Sequence, residues 1–223
     1  MNYNFRFEIL LRYQDEILQG VLLTLELSLL TMIFGLIIGL GVALASGSPS
    51  KLLSVPARFY VEAIRNTPLL VQLFIVFFGL PSLGLRLWAD VAAVIALSIN
   101  MGAYAAEILR AGFESVRRSQ IEAGRSLGLT AAQTFRHVVL FQAVKAIYPA
   151  LTSQFVLVML ATCVVSSIGV TELFHQAAFI DSRTYRSFEA YALITLSYLL
   201  LTLAFRAAFA GVYWLVFVRR PAR

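Results

Sequence analysis

The sequence predicts an all-α integral membrane protein with about five transmembrane helices, and three observations carry that prediction. Of the 223 residues 60% are hydrophobic and 13% are charged, with a mean hydropathy of +0.81, whereas soluble domains are about 45–50% apolar and about 25% charged. Apolar stretches long enough to cross a bilayer as helices recur along the chain. One long polar interval, rich in arginine, separates two of them.

The N-terminal residues 1–19 mix acidic and basic side chains with aromatic residues and leucines, which predicts one amphipathic helix on the outer membrane face. A secretory signal needs a basic start and a short apolar core. This segment carries net negative charge, so we expect that no signal is cleaved. The transmembrane domain is expected over residues 20–218, with spans at about 20–45, 56–80, 91–109, 141–170 and 191–218.

Three of these elements carry a specific expectation. The apolar core of the second span is short, so its helix is expected to begin near Pro56. The fourth span is long and is expected to be tilted or broken at Pro149. Residues 171–189 are expected to form a polar loop. In the first span, Gly35 and Gly39 have the spacing that lets membrane helices approach closely.

The polar interval after the third span predicts a helical hairpin. Ser119 followed by Glu122, and Thr130 followed by Gln133, have the spacing of capping boxes, in which two side chains satisfy the free amides of a helix start. Gly128 between them is the residue type that most readily takes the left-handed conformation ending a helix. A solvated amphipathic loop is the alternative, but it explains two boxes around one glycine less easily.

We expect this hairpin to bind a protein outside the membrane. Glu122, Arg125 and Ser126 share one helix face because they lie at i, i+3 and i+4. The small residues Ala123 and Gly124 would allow a partner to approach closely. The candidate binding residues are therefore Glu122, Ala123, Gly124, Arg125, Ser126 and Gly128.

The distribution of lysine and arginine predicts the orientation of the chain. Most of them fall in residues 51–65, 110–145 and the basic tail 219–223, which lie on one side of a five-span arrangement. Because such residues concentrate on the cytoplasmic side, the hairpin and the C-terminus are expected inside and the N-terminus outside. The basic residues are too scattered to form a nucleic-acid interface, so nucleic acid is not an expected partner.

The polar side chains of the chain indicate neither an enzyme nor a cofactor. No Gly-x-x-x-x-Gly-Lys-Ser/Thr loop occurs, so ATP would have to be bound by a partner. His137 and His175 are far apart in sequence and lack neighbours at metal-ligand spacing. Cys163 lies in an apolar run, as a small buried hydrophobe does.

Several polar residues fall at mid-span depth, where polar groups need partners. They could hydrogen-bond between helices or line a substrate path: Gln72, Asn100, Gln154, Thr162 and Ser166. Arg206 lies inside the last span, where it could pair with a carboxylate of a neighbouring helix or extend its head toward the cytoplasmic edge.

Four stretches, in this order, resemble the membrane subunits of binding-protein-dependent ABC importers, and specifically the polar amino-acid branch. They are residues 62–72 (EAIRNTPLLVQ), residues 98–104 (SINMGAY) with Glu107, the hairpin with its EAG, Gly128 and apolar run, and residues 167–170 (SIGV) with Glu172 and Leu173. The chain departs from the family pattern at Phe141, where proline is usual. It departs again at Leu160 and Ala161, where lysine and aspartate or similar polar residues are common.

The resemblance implies a type I importer permease fold in the bacterial inner membrane. It implies that residues 110–140 contain the EAA loop, whose coupling helix sits in a cleft of a cytoplasmic ATPase that carries ATP and magnesium. A second permease subunit, a second ATPase copy and a solute-binding protein would complete the complex, which would work by alternating access. The alternatives are an ABC importer of another small solute, a secondary transporter driven by ion gradients, and a purely structural membrane anchor.

Overall fold

The computed structural model describes residues 5–219, and the regular elements of that part of the chain are all helical. Four helices are long and apolar enough to cross a membrane, and a bent helix pair brings the number of candidate spans to five. In chain order the helices are α1 (Gln14–Ser46), α2 (Lys51–Arg65), α3 (Leu69–Ser82), α4 (Ala89–Glu114), α5 (Arg118–Ser126), α6 (Ala131–Ile168), α7 (Leu173–Thr184) and α8 (Ser187–Val218). The predicted all-α membrane fold is confirmed.

The N-terminal segment does not form the separate amphipathic helix that residues 1–19 suggested. A 3-10 helix, Phe7–Tyr13, leads directly into α1. Its Leu10 is buried against Ile180 and Ala190 of later helices, which fixes the segment to the protein. Residues 1–4 of that expected helix, and residues 220–223 of the basic tail, lie outside the described residues.

The second span is sharply bent, which corrects the expected continuous helix over residues 56–80. Helices α2 and α3 meet at an angle of 110°. Pro68 between them has an extended backbone, with φ −66° and ψ 136°, and a proline both lacks an N–H and keeps the preceding residue out of the helical region. Helix α2 leaves Leu52 and Phe59 largely exposed on its surface.

The core is formed by α1 packed along α4. The contact is close because small residues face each other: a Cβ placed on Gly39 would lie 2.5 Å from the Cβ of Ala105. Gly35 meets Met101 in the same way. The predicted close approach at these two glycines is confirmed, and it allows dispersion contacts along most of both helices.

Helix α6 runs without interruption from the hairpin through the fourth span. It contains a π-helical turn at Phe135–Val139, continues through Pro149 and tightens to a 3-10 helix at Thr162–Ile168. Of the two expected alternatives, the break at Pro149 is therefore wrong, and the tilt of the span stays a prediction. The helix ends at Gly169, whose φ of +87° is a left-handed conformation suited to glycine.

The expected polar loop at residues 171–189 is also wrong, because it contains helix α7. Leu173, Ala177 and Ile180 are fully buried along one face of this helix. Its N-cap is Glu172, whose carboxylate accepts hydrogen bonds from the backbone N–H groups of Phe174 and His175, both at 2.9 Å. The polar residues that suggested a loop thus lie at helix ends.

Candidate functional site

The hairpin, residues 118–139, has a tip that is fixed by backbone hydrogen bonds. Gly128 has φ +80°, its N–H donates to the carbonyl of Arg125 at 2.9 Å, and the N–H of Leu129 donates to that of Gly124 at 3.2 Å. This pair of bonds is the Schellman motif that ends a helix. The predicted glycine stop is confirmed.

The second predicted capping box is confirmed as well. The N–H of Gln133 donates to Oγ1 of Thr130 at 3.3 Å, and the N–H of Thr130 donates to Oε1 of Gln133 at 2.9 Å. These reciprocal bonds start α6 immediately after the tip. Only three residues, Leu127, Gly128 and Leu129, separate the end of α5 from this cap, so the tip has little freedom.

The first predicted capping box, Ser119 with Glu122, is wrong. Helix α5 begins one residue earlier, at Arg118, and its N-cap is Arg117, which makes no side-chain capping bond. Arg117 has the extended backbone, φ −62° and ψ 132°, that a cap residue requires. Ser119 therefore lies inside the first turn of the helix.

The outer surface of the hairpin contains most of the predicted binding residues. Glu122, Ala123, Arg125, Ser126 and Gly128 are exposed. Leu127 at the tip is 82% exposed, a large apolar side chain with no cover from the described chain. Sequence reasoning did not select this leucine, although its place directly before the glycine stop puts it at the most projecting point.

Gly124 is the exception among the predicted binding residues because it faces the other arm of the hairpin. A Cβ at this position would lie 3.1 Å from Cγ2 of Thr134 and 3.6 Å from a methyl of Val138. Gly124 therefore allows α5 and α6 to pack together, and it does not leave room for a partner on the outer surface.

The base of the hairpin is joined to the membrane helices by apolar packing. Val116, Val139 and Ala143 are buried together, with Phe113 and Ile121 packed against them. The rings of Phe113 on α4 and Phe135 on α6 lie 6.0 Å apart. The hairpin is therefore continuous with α6 and packed against the end of α4.

Two of the predicted path residues, Gln72 and Asn100, are brought together beside the bend of the second span. Nδ2 of Asn100 donates to Oε1 of Gln72 at 2.9 Å. Nε2 of Gln72 donates to the carbonyls of Ile64 at 2.8 Å and Thr67 at 3.1 Å. Because those carbonyls lie at the end of α2, the pair satisfies backbone groups that the bend leaves free.

The other predicted path residues lie on α6. Oγ1 of Thr162 donates to the carbonyl of Met159, and Oγ of Ser166 donates to that of Cys163, both at 2.7 Å. Gln154 is half-buried about two to three turns earlier. Within residues 5–219 no hydrogen bond connects these three side chains to Gln72 or Asn100.

Sequence reasoning missed a group of charged residues where α2 approaches α4. The guanidinium of Arg65 lies 5.4 Å from the ring centre of Tyr104. On α4, Arg110 contacts Glu107 and donates to both carboxylate oxygens of Glu114, at 2.7 and 2.8 Å. The spacing of Glu107, Arg110 and Glu114, three and four residues apart, could have shown that they share a helix face.

It also missed the two buried carboxylates, Glu172 and Glu189, both of which have no exposed surface. Oε2 of Glu172 accepts from the hydroxyl of Tyr198 on α8 at 2.6 Å, and burial raises the pKa of the Glu172 carboxyl above its ordinary value. Oε1 of Glu189 accepts from the Arg6 N–H at 3.1 Å and from Arg186 at 3.2 Å. Leu173 and Ile180, at helical spacing after Glu172, were the available signal for a capped helix.

Among residues 5–219, no three His, Cys, Asp or Glu side chains are grouped so that they could hold a metal ion. The candidate functional site is a surface and a set of helices, with exposed polar and apolar side chains on a tip that backbone hydrogen bonds fix.

Comparison with known proteins finds related transport proteins that match most of the chain. The family described as binding-protein-dependent transport system inner membrane component matches residues 20–212. The probable glutamine ABC transporter permease protein GlnM of Bacillus subtilis (strain 168) is 36% identical over 203 residues, which is 91% of this chain and 92% of that protein. The L-cystine transport system permease protein TcyB of the same organism is 43% identical over 164 residues, 74% of this chain and 70% of that protein.

Solved structures agree with these sequence matches. The crystal structure of an amino acid ABC transporter with histidines has a TM-score of 0.88 and 40% identity, over 94% of this chain and 98% of that one. The inward-facing MetNI methionine ABC transporter, at 19% identity and a TM-score of 0.75 over 90% of this chain and 96% of that one, shares the fold. The chain belongs to the family of inner membrane components of binding-protein-dependent transport systems, as the permease subunit of a bacterial ABC importer.

Proposed function

We propose that this permease moves a polar amino acid across the bacterial inner membrane by alternating access, driven by a separate ATPase that binds the hairpin. The observation that carries the proposal is the hairpin itself: a rigid tip with exposed Glu122, Ala123, Ser126 and Leu127 that continues directly into a membrane helix. The relatives named for glutamine and L-cystine support the amino-acid class.

The same proposal specifies the partners. Two ATPase subunits with bound ATP and magnesium would take the two hairpins of a permease dimer from the cytoplasm, and a solute-binding protein would dock outside. The chain itself has no phosphate-binding loop. The lysine and arginine bias supports an external N-terminus and a cytoplasmic C-terminus and hairpin.

The mechanism follows from the continuity of α6. This helix has 38 residues, so it extends about 57 Å from the hairpin tip through the bilayer. Closure of the ATPases on ATP would bring the two hairpins together. Each α6 would then move as one body with the base of α4, because the cluster of Val116, Val139 and Ala143 joins them, and access would switch from one side to the other.

The proposal is tested by uptake of amino acids into proteoliposomes that contain the permease, its ATPase and its solute-binding protein. Glu122→Lys reverses a charge on the exposed tip, and Gly128→Val puts a β-branched residue at a φ of +80°. We expect both variants to insert and purify with the membrane, but to lose ATP-driven uptake.

Glu8→Lys is the matched control, because it makes the same charge reversal at an exposed residue far from the hairpin, and its uptake should be unchanged. Normal uptake in both hairpin variants would contradict the proposed coupling. Uptake that persists when the ATPase is inactivated would instead indicate a transporter driven by an ion gradient.

A further inference from the structure

An open groove of about 410 Å³ runs between α6 and α8 within the membrane-spanning part of both helices. Its polar lining consists of Tyr148, Thr152 and Ser153 from α6 and Arg206 and Tyr213 from α8. Neither the hairpin nor the Gln72 and Asn100 pair contributes to it. Most of a lipid-facing groove would be apolar, so five polar or amphipathic side chains on one groove need an explanation.

Arg206 is the central feature of this groove. Its side chain is exposed, and within residues 5–219 no carboxylate lies within ion-pair distance of it. Ionisable residues inside membrane spans are energetically expensive and face protein interiors or water-filled cavities. The guanidinium therefore indicates that something polar covers or fills this groove in the assembled transporter.

The depth of Arg206 in the membrane restricts which polar species can fill the groove. It precedes Tyr213 and Trp214, which have the character of interfacial aromatic anchors, by about 10 Å along the helix, and Arg219 by about 20 Å. A phosphate of the inner lipid leaflet lies beyond the aromatic level, nearer to Arg219. A small anion that enters the protein toward mid-membrane depth is a better match for Arg206.

The neighbouring hydroxyls indicate the shape of the anion. The Tyr148 hydroxyl donates to the carbonyl of Phe209 at 2.7 Å, and that of Thr152 donates to the carbonyl of Pro149 at 3.1 Å. The hydroxyl of the exposed Ser153 makes no hydrogen bond to residues 5–219. A planar guanidinium fork and a free hydroxyl donor that line one groove are together complementary to a carboxylate, which accepts two parallel N–H bonds and a further hydrogen bond.

We propose that the groove between α6 and α8 binds the carboxylate of the transported solute, with Arg206 as the anion-binding residue and Ser153 as a second donor. This rests on the proposed function, in which the solute is an amino acid. Binding near mid-membrane depth, beside a helix that would move with the hairpin, is where a transporter site can be opened to either side. The path would thus run along α6, from Thr162 and Ser166 past Gln154 to Arg206.

The test uses cysteine protection in the purified complex of permease and ATPase, reconstituted in nanodiscs. Ala210→Cys in a Cys163→Ser background places a single thiol in the groove without altering a proposed donor, and its rate of maleimide labelling is measured. The probes are a mixture of the L-amino acids other than cysteine, aspartate and glutamate, and the corresponding amino-acid amides, which lack the carboxylate.

We expect the acids to slow labelling several-fold and the amides to leave it unchanged. Adding Arg206→Gln should weaken the protection by roughly tenfold or more in apparent affinity, since a hydrogen bond to a charged group contributes about 1.5–3 kcal/mol. Arg206→Lys should restore part of it. Lys145→Gln, which removes an exposed cation elsewhere on α6, should leave the protection intact.

Equal protection by acids and amides, retained protection in Arg206→Gln, or no protection by any amino acid would overturn the inference. Protection that depends on phosphatidylglycerol in the nanodisc and not on amino acids would assign the groove to a lipid phosphate and also overturn it. The assay needs no ATP-driven step, so its result is independent of the uptake experiment. Uptake with unchanged affinity in Arg206→Gln would retain the importer and remove only this site.

Discussion

Single glycines decide how closely the membrane helices pack. Gly39 lies so close to Ala105 on α4 that a side chain at this position would push the two helices apart. Gly41, two residues later, has nothing within 4 Å of its Cβ position. The two glycines have the same chemistry and belong to the same helix. They differ only in the direction that they face.

These glycines provide a matched pair of substitutions. Gly39→Val should lower the stability of the detergent-solubilised protein by about 1–3 kcal/mol, because overpacking forces helices apart. Gly41→Val should have little effect. Thermal unfolding followed by circular dichroism measures both, and equal losses in the two variants would contradict the packing described for α1 and α4.

The buried Glu172 should make the stability of the protein depend on pH. Because burial raises the pKa of this carboxyl, the folded state favours its protonated form. The protonated Glu172 carboxyl therefore contributes its full stabilisation of the folded state at pH values below its ordinary pKa. This stabilisation is lost as the pH rises through the raised pKa. We expect the melting temperature to fall more steeply as the pH rises above about 4.5 in the wild type than in Glu172→Gln.

The control for this pH dependence is Glu8→Gln, at an exposed site, which should retain the wild-type slope. Differential scanning fluorimetry across the pH range provides the slopes. Parallel curves for the wild type and Glu172→Gln would show that the carboxyl does not contribute to the pH dependence.

At the scale of elements, the bend between α2 and α3 is the feature that depends most on side chains. Pro68 prevents a continuous helix, but the angle is stabilised by Gln72, which bonds the carbonyls of Ile64 and Thr67 and holds Asn100 on α4. One amide side chain therefore fixes the relative position of three helices.

Replacing Gln72 by methionine, which has a similar shape, should loosen the bend. The change removes the hydrogen bonds of Gln72 to Ile64, Thr67 and Asn100, each of which contributes about 0.5–1.5 kcal/mol. Spin labels at Leu52 and Phe78, both exposed, should show a broader distance distribution. Gln142→Met, at an exposed site on α6, is the control, and an unchanged distribution in Gln72→Met would contradict this role.

For the whole molecule, the sequence predicted what depends on composition and local chemistry. Long apolar stretches predicted the spans, and Thr130, Gln133 and Gly128 predicted the tip of the hairpin, because caps and left-handed glycines are local. The Ser119 box failed because its spacing alone does not determine where a helix begins. Gly124 was assigned to the wrong surface because its neighbour, Thr134, comes from tertiary packing.

Helix α7 was missed for a related reason. The polar residues around it were attributed to a loop, although Glu172 is a cap and Glu189 is a buried acceptor. The bend at Pro68 was missed because the short apolar core was extended backward along one axis. The predicted path residues stay predictions, since their hydrogen bonds in the structure are to the protein itself.

The orientation of the chain in the membrane can be tested with two exposed residues. Leu127 at the hairpin tip and Trp88 before α4 are 82% and 84% exposed, and we expect them on opposite sides of the membrane. Single cysteines at these positions, in a Cys163→Ser background, should react with a membrane-impermeant maleimide from the cytoplasmic and the outer side respectively. Labelling of both from the same side would contradict the five-span arrangement.

The uninterrupted course of α6 limits how such subunits can be recombined. Each residue added to or removed from a helix turns everything beyond it by about 100°, so a one-residue deletion between Phe135 and Leu140 would rotate the tip relative to the bilayer. A chimaera that exchanges the recognition surface for that of another permease must therefore keep the helical phase of this segment. The non-helical residue Arg117, before α5, is a junction that leaves this phase unchanged.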